Sequence, residues 1–111
     1  PDRSHLRAGR GQMIDHIVLL KLPKGHDRAE LADVMGGLAA LVGTIDGFMA
    51  FRHGPNRDFE GRSAVFGYGF TSQFRDANAL AAYAQDRRHR ALGARLLALS
   101  DDLLVADLDS L

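Results

Sequence analysis

The side chains of this sequence best suited to moving protons are its histidines, and His89 is the first candidate among them. It stands in the run Asp86-Arg87-Arg88-His89-Arg90. An imidazole has an ordinary pKa of about 6.5, so it gives or takes a proton near neutrality. A carboxylate placed beside it would fix its tautomer and favour the charged form. A tyrosine across a pocket would polarise or protonate a carbonyl oxygen. His16 lies inside an apolar run, where a histidine is either a hydrogen-bonded core residue or the polar point of a cavity. His53 falls near a strand end and reads as structural or as part of a rim. His5 and His26 fall in a tail and a loop and receive no role. No two histidines have the i, i+4 spacing of a helical zinc site, and the chain has no cysteine. No metal is therefore expected. Arg87, Arg88, Arg90 and Arg95 surround His89. They read either as a solvated helix face or as a means of attracting an anionic substrate to a pocket mouth. Arginines early in a helix oppose its dipole, which favours some purpose for them. Gly67-Tyr68-Gly69 is not a phosphate loop, because it sits within a strand pattern and opens no helix.

The elements that must position these residues follow from the apolar periodicity. Residues 14–22 (IDHIVLLKL) predict a strand stopped by Pro23, Lys24 and Gly25. His16, Val18, Leu20 and Leu22 share one face; Asp15, Ile17, Leu19 and Lys21 share the other. Both faces are apolar at the centre, so both should be covered. Residues 27–42 predict a helix. Asp27 is its cap and Glu30 completes a capping box, with Leu31, Val34, Met35, Leu38, Leu41 and Val42 on the buried face and Gly43 as the stop. The Gly36–Gly37 pair predicts a close approach to the sheet. Residues 47–54 and 63–74 predict two further strands. On the latter, Ala64, Phe66, Tyr68, Phe70 and Phe74 alternate with Val65, Gly67, Gly69 and Thr71. Asp76 predicts the cap of a helix carrying Leu80 and Tyr83. A break near Asp86 leads to a second helical stretch with Leu92, Leu96 and Leu99 inward. Residues 103–108 (LLVADL) predict a last strand.

Strand, helix, strand, strand, helices, strand is the order of an α+β ferredoxin-like split βαβ fold, a four-stranded antiparallel sheet with its helices on one face. Residues 1–12 are polar and aperiodic and read as a flexible tail; residues 13–111 read as one domain. Composition agrees, since 46% hydrophobic and 25% charged residues in 111 suffice for one modest core. The open sheet face, with Ile17, Leu19, Val65, Gly67 and Gly69, then predicts a symmetric homodimer packed sheet on sheet. Fourteen basic and fourteen acidic residues give no net charge, which argues against nucleic acid as a partner. No apolar run is long enough to cross a bilayer and no signal segment opens the chain, so no membrane role and a cytoplasmic location are expected.

From Met13 to Asp107 the chain resembles the stress-responsive dimeric alpha–beta barrel (Dabb) family. The resemblance rests on residues 15–21 (DHIVLLK), Gly54-Pro55-Asn56, the run from Tyr83 to His89, and residues 103–107 (LLVAD). It implies a homodimeric alpha–beta barrel. One plant branch of the family closes a linear polyketide into an aromatic acid without a cofactor. Resemblance to that branch implies Tyr83 and His89 as an acid–base pair, His16 as a pocket histidine and Asp107 as the aspartate near the catalytic histidine. Tyr68 stands where the cyclase has a further pocket histidine.

The expectation is therefore a small, largely apolar carbonyl or aromatic ligand held between sheet and helices, with no cofactor. Tyr83 and His89 would transfer protons, Asp107 would orient His89, and Phe66, Phe70, Leu31, Met35, His16 and Tyr68 would line the pocket. Two alternatives stand beside it: a non-catalytic stress or assembly protein, and an enzyme like the cofactor-independent monooxygenases of related dimeric barrels.

Overall fold

A computed structural model describes residues 12–111. The expected tail, apart from Gln12, and His5 within it lie outside the described residues. The elements are β1 (Met13–Lys21), α1 (Arg28–Ala39), β2 (Phe48–Pro55), β3 (Tyr68–Phe74), α2 (Ala77–Gln85), α3 (Arg87–Leu99) and β4 (Asp102–Ser110). All pairings are antiparallel and the sheet order is β2-β3-β1-β4, the ferredoxin-like arrangement. No helix among the described residues is long and apolar enough to cross a membrane.

β1 is central because it is apolar on both faces. Val18 opposes Phe70 of β3 and Val105 of β4, while His16 opposes Ser72 and Asp107. Opposed residues share a face, so these side chains all look toward the helices. Ile14, Val18, Leu20, Phe70 and Phe74 are buried there. One core cluster joins Val18, Leu20 and Phe70 to Leu31, Val34, Met35 and Leu38 of α1 and Leu96 of α3. A second joins Ile14, Phe48 and Phe74 to Ala79 and Tyr83 of α2. The other face carries Ile17, Leu19, Thr71, Leu104 and Leu108, and among the described residues no helix lies over it.

Three local features differ from the sequence expectation. First, Asp27 caps α1 by accepting the Glu30 N–H (3.0 Å), but Glu30 does not complete the capping box. Its carboxylate instead receives Arg95 of α3 through two bonds of 2.9 and 2.8 Å. Second, the close approach allowed by the glycine pair is to α3 and not to the sheet. A Cβ on Gly37 would lie 2.8 Å from a Leu92 methyl, whereas one on Gly36 would meet nothing within 4 Å.

Third, β3 begins at Tyr68 and not at residue 63. Asn56 donates to the Ser63 hydroxyl (2.9 Å) and the Phe66 carbonyl (2.7 Å). Asp58 accepts from the N–H groups of Arg62 and Ser63 (2.9 and 2.8 Å). These side-chain bonds compete with the strand ladder and close residues 56–67 into a loop. Phe66, Val65 and Gly67 therefore lie outside the sheet, and the expected strand faces lose them. Gly69 keeps its place on the open face, where the Leu19 side chain covers it; a Cβ there would sit 2.8 Å from a Leu19 methyl.

Candidate functional site

Asp86 is the single residue between α2 and α3, and it organises both ends. Its N–H donates to the Tyr83 carbonyl (3.1 Å). Its carboxylate accepts from the N–H groups of Arg88 (2.8 Å) and His89 (3.4 Å). The hydrogen-bonded Arg88 guanidinium holds the Asp86 carboxyl far below the usual carboxylate range. Tyr83 and His89 thus stand three residues before and after one fixed corner. Their rings meet with centroids 3.9 Å apart and an interplanar angle of 33°.

That pair forms part of the wall of a cavity of about 520 Å³ between the β1–β4 side of the sheet and helices α2 and α3. His16 and Asp107 contribute the sheet side. Val18, Phe70, Leu80, Leu96, Leu97, Leu103 and Val105 make the rest largely apolar. Its volume falls within the range of small-molecule pockets, and its wall is apolar with a few polar groups. Ala84, Gly93 and Ala94 line it from the helices and leave the room.

Tyr83 is 1% exposed and packs against Phe48 and Phe74. Its hydroxyl and His89 Nδ1 are buried and meet no hydrogen-bond partner among the described residues. The hydroxyl of Ser72, opposite His16 on β3, is a third such group. Groups of this kind are uncommon in folded proteins, because each forgoes its bonds to water. Burial raises the Tyr83 pKa above 10, so the phenol keeps its proton. Burial, and then the nearby His16, lower the His89 pKa below 6.5; the backbone of Ala84 and Tyr83 and the Asp86 charge act weakly the other way. The site at neutral pH is therefore a phenol beside a neutral imidazole.

Asp107 differs from expectation. It does not reach His89. Its Oδ1 lies 2.5 Å from His16 Nδ1, across the β1–β4 register. The carboxylate therefore fixes the ring and tautomer of His16. The two histidines face the same cavity but only one has a carboxylate.

Of the expected lining residues, Phe70 and His16 line the cavity. Leu31 and Met35 do not; they are buried on the α1 side of the core, filled in by Val18, Phe70 and Leu96. Tyr68 faces the helices but lies at the β2 side, where its hydroxyl and His53 Nδ1 are 2.6 Å apart. Phe66 is in the 56–67 loop. Leu80, Leu97, Leu103 and Val105 are lining residues that the site expectation left out; the helix spacing of Ala84, Gly93 and Ala94 was the available sign of space beneath α2 and α3. Among the described residues no three His, Asp or Glu side chains come together as a metal site.

An α+β sheet in the order β2-β3-β1-β4, with its helices on one face and, among the described residues, none on the other, defines the ferredoxin-like class. Residues 14–110 match the stress responsive A/B barrel domain, Dabb, and the chain belongs to that family. It is similar in structure to a dimeric ferredoxin-like protein of unknown function from Jannaschia sp. CCS1, with 37% identity, a TM-score of 0.82, and coverage of 88% of this chain and 99% of that one. A Dabb family protein from Mesorhizobium loti shares the fold at 21% identity and a TM-score of 0.71, over 90% of this chain and 98% of that one. Hydroxynitrile lyase from Passiflora edulis shares it at 10% identity and a TM-score of 0.79, over 91% and 95%. No curated protein matches the chain.

Proposed function

We propose that this chain acts as a homodimer that binds a small, largely apolar carbonyl or aromatic compound between sheet and helices, and moves its protons without a cofactor. The observation that carries this reading is the Tyr83–His89 pair. Two buried polar groups without partners stand side by side on the wall of an apolar cavity. A bound carbonyl compound would supply the bonds they lack.

Their opposed environments assign the roles. His89, held neutral, is the base that removes a proton from a carbon next to a carbonyl. Tyr83, held protonated, donates to the carbonyl oxygen as negative charge develops there. His16, oriented by Asp107, supplies a second imidazole on the opposite wall. A carbanion formed in this way can attack a second carbonyl of the same molecule, which is the chemistry of ring closure in a polyketide. The Passiflora neighbour supports the capacity of the fold to host an enzyme, and at 10% identity it assigns no residue here. Dimerisation would use the open sheet face, where Leu104 and Leu108 are each 53% exposed beside Ile17 and Leu19. The dimeric Jannaschia protein supports this pairing.

The test is proton exchange at carbon. Deuterium incorporation into benzoylacetone in heavy water is followed by NMR with the wild type, Tyr83→Phe and His89→Gln. The expected result is acceleration by the wild type and a fall of about 100-fold in each variant. Exchange no faster than in imidazole buffer, or equal rates in all three proteins, overturns the reading.

A further inference from the structure

The rim of the cavity carries one exposed charge with no ion-pair partner among the described residues. Of the four arginines around His89, Arg88 is bound to Asp86 (2.8 Å) and Arg95 to Glu30 and Asp33 (2.8 and 2.7 Å). Arg87 is exposed and is not among the residues that line the cavity. Arg90 lines the cavity and makes no ion pair among the described residues. The one carboxylate that lines the cavity, Asp107 on the sheet side, is taken by His16. His89 is held neutral by its burial. The remaining wall is aliphatic and aromatic, with Leu97 and Val105 61% and 46% exposed toward the open side. A ligand that fills this space therefore meets hydrocarbon along its length and, at the rim beside Tyr83 and His89, a guanidinium free to bind it.

We propose that the ligand is an amphipathic carboxylate, with its apolar body in the cavity and its carboxylate on Arg90. This rests on the cavity being a ligand site, as proposed above, but not on the proton chemistry. A guanidinium offers two parallel donors that match the two oxygens of a carboxylate, and binding of this kind holds orientation as well as charge. Arg90 follows His89 directly in α3, so a head group fixed there sets which carbon of the body lies against the imidazole. The same contact explains why basic residues occupy the first turn of α3, where the helix dipole disfavours them. Arg88 anchors the Asp86 corner, and Arg90 serves the ligand.

The probes are 4-butylbenzoate and its uncharged near-isostere 4-butylbenzamide, titrated into the full chain by calorimetry. Arg90→Gln is compared with Arg87→Gln, a control that removes the same charge from a residue of the same helix that does not line the cavity. The expected result is that the wild type binds the benzoate about ten-fold more tightly than the benzamide. Arg90→Gln erases that preference, Arg87→Gln keeps it, and added salt weakens only the benzoate. Equal binding of both probes by the wild type, or equal losses in the two variants, overturns the carboxylate proposal and leaves the cavity reading standing. Failure of both probes to bind overturns the two together. Binding that survives in a protein whose benzoylacetone exchange is no faster than buffer overturns only the proton chemistry.

Discussion

Two histidine–tyrosine pairs sit on the helix side of this sheet, and they have opposite characters. At the β2 side, His53 and Tyr68 are bonded to each other at 2.6 Å, with His53 exposed. At the β1–β4 side, Tyr83 and His89 stack at 3.9 Å with hydroxyl and Nδ1 unpartnered and buried. The first pair has met its own hydrogen-bonding needs and lies outside the cavity. The second has left them open and faces it. Residue type alone therefore says little about chemistry; what matters is whether the folded chain has already satisfied the group.

The contrast can be broken most decisively by truncation. Tyr83→Ala removes a ring packed on Phe48 and Phe74 and should cost about 3–5 kcal/mol in urea unfolding. Tyr68→Ala, at a half-buried edge, should cost about 1–2 kcal/mol. Equal costs would end the distinction between a core tyrosine and a rim tyrosine.

A middle-sized effect is expected from pH. The folded His89 pKa is depressed, so between that value and about 6.5 the unfolded chain binds more protons than the folded one. Stability should therefore be full above about pH 6.5 and decline as pH falls through this window to the folded pKa. His89→Gln should flatten that part of the profile. An unchanged profile in the variant would show that burial does not hold His89 neutral.

The smallest effect is the most diagnostic in sign. Tyr68→Phe gives up one bond to His53 and should lose about 0.5 kcal/mol. Tyr83→Phe removes a hydroxyl with no hydrogen-bond partner among the described residues, and stability should hold or rise. A loss in Tyr83→Phe larger than that in Tyr68→Phe would mean its hydroxyl is satisfied after all.

Much of this was legible in the residue order. The strand faces of β1 could be read from period-two alternation, and the first two helices from their caps at Asp27 and Asp76; Asp86 was legible only as a break, and its capping role appears in the fold. The helix-facing side was read from the shared parity of His16, Tyr68 and Phe66; His16 and Tyr68 keep that side, while Phe66 lies in the 56–67 loop. The start of β3 was not legible, because residues 63–70 alternate as a strand would. One asparagine and one aspartate, Asn56 and Asp58, divert the backbone by bonds that periodicity does not encode. The partner of Asp107 was not legible either. Choosing His16 over His89 requires the β1–β4 register, a pairing across 91 residues that no local pattern fixes. Leu31 and Met35 read as cavity lining because helix periodicity marks a buried face without saying whether the space beyond it is filled.

The Asp86 corner has a consequence for how the site comes into being. Tyr83 and His89 are brought together by six residues of chain and one carboxylate, so their arrangement is a local property that short-range contacts can establish early. His16 and Asp107 belong to the first and last strands, and they meet only when the two ends of the domain zip together. The cavity is thus half assembled by a corner and half by closure of the whole sheet. A partly folded chain would carry the helical half of the cavity without its opposite wall, which makes ligand capacity a report that the domain is complete.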